Sequence, residues 1–277
     1  MKPAAWTPAR RLLAPFRLVG TALAFSIFGL GGCLFRFLLT PFLTLRLPGP
    51  ENRVERVRRS RRAVQWWFEN FVRIIDRLEL VHTKFIGLER LRRPGLIIAA
   101  NHPSLIDVVC LVSALPNATT MVKAALLKNW FTAPPIAAAD YAVNDEGPAA
   151  LAKIESDLSA GAVFVIFPEG TRTPAELPPG ETPRMHRGAA ALALELKRPI
   201  TPVRITACPR WLTKERAWWH LPPVAMTLVL EVLEDIDSSD LLPIYNEKPS
   251  RAARSLNARL AKALFAPPSE AADGKAS

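Results

Sequence analysis

Two short stretches carry residue types capable of chemistry. In Asn101–Val108, NHPSLIDV, a histidine is followed, after four intervening residues, by an aspartate. In Val163–Arg172, VFVIFPEGTR, an apolar run ends in Pro-Glu-Gly-Thr-Arg. Histidine is the side chain whose ordinary pKa lets it take a proton near neutrality, and an aspartate within reach accepts a hydrogen bond from one imidazole nitrogen, fixing the tautomer and leaving the other nitrogen to act as base. A base so positioned contributes roughly 10²–10⁴ in rate. The plainer alternative is structural. Ser104 and Asp107 have the spacing of a capping box, and an acid in the first turn suits the helix dipole. In the second stretch Gly170 permits a tight turn. The loop then offers backbone N–H groups, the Thr171 hydroxyl and the Arg172 guanidinium to an anion. Taken singly, such a tetrapeptide is more often a turn with a surface ion pair.

These residues need elements to position them. From about Glu79 short apolar runs alternate with helical patterns. Strands are expected over Leu80–Ile86, Leu96–Ala100, Thr119–Val122, Ala162–Phe167, Ile200–Ile205 and Met226–Val232, and helices over Ser104–Ala114, Ala149–Ser159, His186–Leu196 and Ser250–Phe265. Strands alternating with helices predict an α/β fold, a mixed, largely parallel sheet flanked by helices. His102 then stands at a strand-to-helix turn, with Pro103 opening the helix and Asp107 about one turn inside it; such turns are where α/β proteins present functional groups. Thr171–Arg184 is a proline-rich loop placed to border the site.

The N-terminal region is of another kind. Leu18–Phe35 is 18 residues without a charge, a helix of ~27 Å against a hydrocarbon core of ~30 Å. It reads as a membrane-associated segment. It is either a spanning helix extended by tilting and by snorkelling of Arg17 and Arg36, or a re-entrant hairpin bent at Gly29, Gly31 and Gly32. The LGGC at Leu30–Cys33 has the look of a lipidation signal, but the chain stays apolar beyond it, through a second run at Phe37–Leu45. Then come Val57, Val64, Phe68, Phe71 and Ile75 at helical spacing, with six arginines between Arg53 and Arg62. This is a basic amphipathic helix, either with a solvated charged face or lying on anionic lipid with Trp66 and Trp67 at the interface. The organisation expected is a membrane anchor over 1–50, the basic helix over 51–78, the α/β domain over 79–266 and a disordered tail over 267–277.

A hydrophobic fraction of 49% in 277 residues excludes a fully disordered chain, and a net charge of +11 favours an anionic partner. No base-stacking module accompanies the charge, so nucleic acid is not expected. Three cysteines and four histidines lie far apart in sequence, without a CxxC pair, so neither a disulfide framework nor a metal site is expected. Cys110 falls in an apolar helix and reads as inert.

NHPSLID paired with FPEGTR resembles the glycerolipid acyltransferase family, the PlsC-like 1-acyl-sn-glycerol-3-phosphate and lysophospholipid acyltransferases. The resemblance extends through VKAALLKN (Val122–Asn129), ADYAVND (Ala139–Asp145) and HRGAAALALELKRPITPV (His186–Val203), covering roughly Glu79–Phe265. It implies an O-acyltransferase in which His102, held by Asp107, deprotonates an acceptor hydroxyl that attacks an acyl thioester of coenzyme A or acyl carrier protein. It also implies that Glu169, Gly170, Thr171 and Arg172 bind the lysolipid acceptor, with Arg172 on its phosphate and Lys123 nearby. No metal or redox cofactor is implied; the acyl donor is a substrate. Where many members carry an arginine this chain has Asn144, followed by Asp145. Asn144 therefore becomes a candidate substrate-binding position and brings in other acceptors, an amino-acid-derived lysolipid or an aryl-polyene-type lipid. The rival from another class is a non-catalytic basic membrane-binding protein. The implied setting is the inner membrane, with the catalytic domain facing the cytoplasm and membrane lipids as partners.

Overall fold

The computed structural model describes residues 7–39, 52–144, 147–176 and 181–266. The end of the apolar run beyond 39, Asp145 and the expected tail from 267 lie outside the described residues. The described strands are β1 (Val81–Ile86), β2 (Ile97–Ala100), β3 (Ala118–Val122), β4 (Ala142–Val143), β5 (Val163–Ile166), β6 (Ile200–Cys208) and β7 (Met226–Val232). They form one sheet in the order β1-β7-β6-β2-β5-β3-β4, and every neighbouring pair is parallel except β6 and β7. The fold is therefore the mixed, largely parallel α/β architecture expected.

Strand β2 lies between β5 and β6, with Ala99 opposite both Ile166 and Pro202. All four of its residues are buried, which is why it reads as an unbroken apolar run. Its two faces feed two cores. Ile98 and Ala100 face one, and Ile97 and Ala99 face the other. The first is covered by α1 (Pro8–Leu34), α2 (Asn52–Arg77) and α3 (Asp107–Ser113), and the second by α5 (Pro148–Ser159), α6 (Gly188–Glu195) and α8 (Pro249–Phe265). The short α4 (Ala133–Ala138) and α7 (Leu242–Glu247) complete the α-helices of the described residues. Because β2, β3, β4 and β5 run parallel, their C-terminal ends share one edge of the sheet. The residues that follow them there are Asn101, Lys123, Asn144 and Phe167.

Helix α3 starts at Asp107, three residues later than Ser104, and Pro103 does not open it. Pro103 to Ile106 form a turn instead, because the Asp107 carboxylate reaches back to the Ser104 N–H and ties the chain off before the helix begins.

Helix α1 departs from one of the anchors expected. It runs unbroken through Gly29, Gly31 and Gly32 and continues as a π-helical turn over Phe35–Leu39, so the glycines are not a hairpin bend. Gly31 and Gly32 are close-contact positions, whereas Gly29 faces open space. A Cβ on Gly31 would stand 2.1 Å from the Trp67 indole, and one on Gly32 would stand 2.5 Å from the Phe131 carbonyl oxygen. Phe28 packs on Phe68 and Phe71 of α2, with ring centroids 6.1 and 5.1 Å apart, and Phe25 packs on Trp218 at 5.4 Å. Nearer its start, Arg17 donates to the Pro222 carbonyl at 2.6 Å. The helix thus lies along the α/β body. Among the described residues only Pro8–Leu38 is long and apolar enough to cross a membrane, by length and composition. Its outward stripe of Leu12, Phe16, Val19, Leu23, Leu30 and Phe37 is exposed.

The arginines of α2 do not share one environment. Arg61 points inward, its side chain only 2% exposed, and pairs with Asp157 at 2.8 Å while donating to the Ala139 carbonyl and the Thr119 hydroxyl. A uniformly solvated or lipid-facing basic run is thereby corrected at that position.

Candidate active site

The site is built where β2 ends. The Asn101 side chain prolongs the β2–β6 ladder by imitating a peptide: its Nδ2 donates to the Ile205 carbonyl at 2.8 Å and its Oδ1 accepts the Ile205 N–H at 2.7 Å. The backbone of His102 is then gripped by the loop after β5. Its N–H is shared between Glu169 Oε1 at 2.9 Å and Thr173 Oγ1 at 3.2 Å, and its carbonyl accepts the Thr173 N–H at 2.7 Å. The Thr173 hydroxyl closes the cluster by donating to Glu169 Oε1 at 2.7 Å.

The side chains complete it. His102 Nδ1 lies 2.6 Å from Asp107 Oδ1, and Asp107 is fully buried. The other contacts of the carboxylate are the Ser104 N–H on Oδ2 at 2.8 Å and the Val108 N–H on Oδ1 at 3.0 Å. An ionised carboxylate only accepts, so the imidazole proton sits on Nδ1 and Nε2 carries the lone pair. Among the described residues Nε2 has no hydrogen-bond partner. The ring is 17% exposed and leans on Phe167, centroids 4.8 Å apart. The capping box forms only in part, since the Ser104 hydroxyl is buried without a partner while its N–H is bonded. One carboxylate therefore closes the turn and orients the histidine.

The loop holding the second motif turns at Gly170, φ +63, where a Cβ would meet the His186 ring at 3.0 Å. Glu169 is buried, and one of its carboxyl oxygens has no partner. Burial lifts its pKa above the ordinary carboxylate range, opposed by the hydrogen bonds from Thr173 and the His102 N–H. The native state thus holds this proton more tightly than the unfolded chain, and stability falls as pH rises from the ordinary value through the raised one. Glu169→Gln keeps an acceptor oxygen for His102 and Thr173 and has no charge to desolvate. Its melting temperature, relative to wild type, is expected to climb as pH rises above the ordinary glutamate value; a flat difference in a melting series would contradict this account.

Arg172 does not project freely toward the dyad. Its Nη1 donates to the carbonyls of Leu212 at 2.9 Å and Thr213 at 2.8 Å. Thr171 is exposed on the same loop. Lys123 and Asn144 are exposed at the same sheet edge, where the Asn144 N–H bonds the Val122 carbonyl at 3.0 Å, but neither side chain bonds the dyad or the loop among the described residues. His102, Asp107 and Glu169 therefore come together, Gly170, Thr171 and Arg172 ride on the same loop, and Lys123 and Asn144 share the edge alone. Asn101, Thr173 and half-buried Arg210, which donates to the Pro174 carbonyl, belong to the same construction and were not singled out from sequence. An amide at the end of an apolar strand and a threonine next to the motif were the available signals.

An apolar cleft of about 160 Å³ opens beside the dyad. Leu105 and Ile106, between the two catalytic candidates, form one side; Ala24, Phe25 and Phe28 of α1, Phe71 and Ile75 of α2, and Trp211 with Leu212 form much of the rest. Trp211 is buried and donates to the Trp218 carbonyl at 3.1 Å, whereas Trp219 is 55% exposed. On the same face of the sheet Cys110 is fully buried, and burial pushes its thiol up to about 12. Iodoacetamide at near-neutral pH is accordingly expected to leave Cys110 unmodified in the folded protein, as peptide mass mapping would reveal.

Residues 82–206 match the protein-family model described as Acyltransferase, so the chain contains a stretch of that family. Among solved structures, the PlsC of Thermotoga maritima, a 1-acyl-sn-glycerophosphate (LPA) acyltransferase, is similar over 90% of this chain and 98% of its own, with a TM-score of 0.60 at 19% identity. That likeness establishes a shared fold. The comparison with curated proteins gives no match.

Proposed function

We propose that the protein moves a fatty acyl chain from acyl-coenzyme A or acyl carrier protein to the free hydroxyl of a lysolipid, 1-acyl-sn-glycerol-3-phosphate in the first place, giving phosphatidic acid. The observation that carries this reading is the His102–Asp107 pair at 2.6 Å, with Nε2 unpartnered among the described residues and an apolar cleft alongside. His102 Nε2 takes the proton of the acceptor hydroxyl as its oxygen attacks the thioester carbonyl. Asp107 stabilises the imidazolium that forms. Collapse of the tetrahedral oxyanion breaks the C–S bond, and the departing thiolate takes the proton from His102. The cleft takes the hydrocarbon chain, and Lys123, Thr171 and Arg172 at the same edge meet the acceptor headgroup.

Attachment to the membrane is lateral in this reading. Helix α1 is held to the body from Arg17 to Gly32, and a spanning orientation would carry the Arg17–Pro222 bond into hydrocarbon. The exposed stripe of α1 instead lies in one leaflet, that of the inner membrane facing the cytoplasm, where the thioester donors are made.

The test is conversion of radiolabelled palmitoyl-coenzyme A and lysophosphatidic acid to phosphatidic acid by the purified protein in detergent. One feature favours a second acceptor class: Asn144 is exposed at the sheet edge and supplies no cation for a phosphate. Product only from phosphate-free lysolipids would select that class. No product from any acceptor, with either donor, would sink both readings.

A further inference from the structure

The resemblance assigns Arg172 to the acceptor, yet its side chain bonds the main chain of Leu212, which lines the apolar cleft, and of its neighbour Thr213. Its Nη1 donates to two successive carbonyls, Leu212 at 2.9 Å and Thr213 at 2.8 Å. The Leu212 carbonyl also accepts the Leu105 N–H at 3.1 Å. Leu105 belongs to the turn between His102 and Asp107. Leu105 and Leu212 both line the cleft. One oxygen therefore joins the catalytic turn, the cleft wall and the second motif.

The backbone at this junction is under strain. Leu212 has φ +54, a region that a branched side chain enters only when its surroundings over-determine it. The side chain is nonetheless buried, 6% exposed, beside buried Trp211. What holds the residue in this conformation includes the two-carbonyl clasp from Arg172. A single guanidinium nitrogen bridging consecutive carbonyls sets the orientation of both peptide planes, and hence the direction in which the Leu212 side chain points.

We infer that Arg172 is a positioning residue for the acyl cleft: by clasping Leu212 and Thr213 it sets the cleft wall and, with it, which acyl chain lengths the enzyme accepts. This rests on the acyltransferase reading above. It is separate from a headgroup contact, because the clasp uses Nη1 alone and leaves the other guanidinium nitrogens to an anion. Loosening Arg172 then alters selection among donors, a property that a purely phosphate-binding arginine has no means to change.

The test measures initial rates with saturated acyl-coenzyme A donors from decanoyl to stearoyl, at saturating acceptor, for wild type, Arg172→Ala, Arg172→Lys and Leu212→Ala. A shift of roughly tenfold in the ratio of short-chain to long-chain rates is expected for Arg172→Ala, the scale at which pockets discriminate by a methylene or two. Leu212→Ala is expected to move the ratio comparably, and Arg172→Lys, which can still donate to a carbonyl, to lie between. Hydrogen exchange supplies a readout independent of turnover: the Leu105 amide is expected to lose protection in Arg172→Ala and to keep part of it in Arg172→Lys. A chain-length profile for Arg172→Ala superimposable on wild type, with only the acceptor KM raised, overturns the inference and returns Arg172 to the headgroup. If Arg172→Ala does not fold, Arg172→Lys and Leu212→Ala decide between the same two outcomes. If wild type turns over no donor at all, the acyltransferase reading fails, and unchanged Leu105 protection in the Arg172 variants separately rejects the clasp.

Discussion

His102→Ala is expected to lower kcat by roughly 10²–10⁴ while leaving the melting temperature close to that of wild type. The ring stabilises little that alanine would lose. Its Nδ1 bond to Asp107 is one of three donors on that carboxylate, and the other two, the Ser104 and Val108 N–H groups, come from backbone. The backbone grip on His102 by Glu169 and Thr173 also survives the substitution. The loss therefore falls on chemistry and not on folding. Steady-state rates with saturating donor and acceptor, paired with melting in the same detergent, separate the two; activity within a few-fold of wild type would remove His102 as the base. Asp107→Asn is a less clean probe. The Asn amide would turn a donor toward a backbone N–H, and leaving such a buried pair unsatisfied costs about 1–3 kcal/mol besides disturbing the tautomer.

The second large effect concerns stability. Arg61→Ala is expected to destabilise the protein by about 3 kcal/mol, the lower end for breaking a buried ion pair, because the Asp157 carboxylate, 16% exposed, keeps Lys153 at 3.8 Å and the Thr119 hydroxyl at 3.2 Å. The same change frees the Ala139 carbonyl and the Thr119 hydroxyl from the guanidinium. For a chain of this size the melting temperature falls by on the order of 10 °C. Removing both charges with Arg61→Met and Asp157→Leu should recover much of the loss, since an apolar pair of similar volume carries no desolvation cost. A single-variant shift of under about 2 °C would mean that the network contributes little.

Most of the sheet was legible in sequence because its central strands are buried on both faces and appear as unbroken apolar runs: IIAA in β2 and VFVI in β5 admit few other readings. Strand β4 was not, since two residues, Ala142 and Val143, are too few to show a period. The start of α3 was misplaced for a reason that belongs to the site. Ser, Pro and Asp at the right spacing resemble a helix start, and only the tertiary demand on Asp107 makes a turn out of Pro103–Ile106. The glycines of α1 read as a bend in sequence, whereas Gly31 and Gly32 serve close approach. That role depends on Trp67 and Phe131, distant in sequence. Arg61 was hidden within a run of similar residues, because composition does not reveal which one of six turns inward. The dyad and the motif loop were readable as residue types at a spacing. The clasp of Arg172 was not, since its acceptors are main-chain carbonyls, which any sequence supplies.

Helix α1 does two jobs with two faces. The inward one, with Ala24, Phe25 and Phe28, is a wall of the cleft that also contains Leu105 and Ile106 of the dyad's own turn. The outward one is the exposed apolar stripe. A chain shortened to begin after α1 would thus not be a water-soluble version of the same protein; it would be a half-open one, with Phe71 and Ile75 of the cleft facing solvent. In the reading proposed here, a single helix thickness separates the leaflet from the groove, so an acyl chain passes sideways from one oily surroundings to the other and never has to be lifted through water.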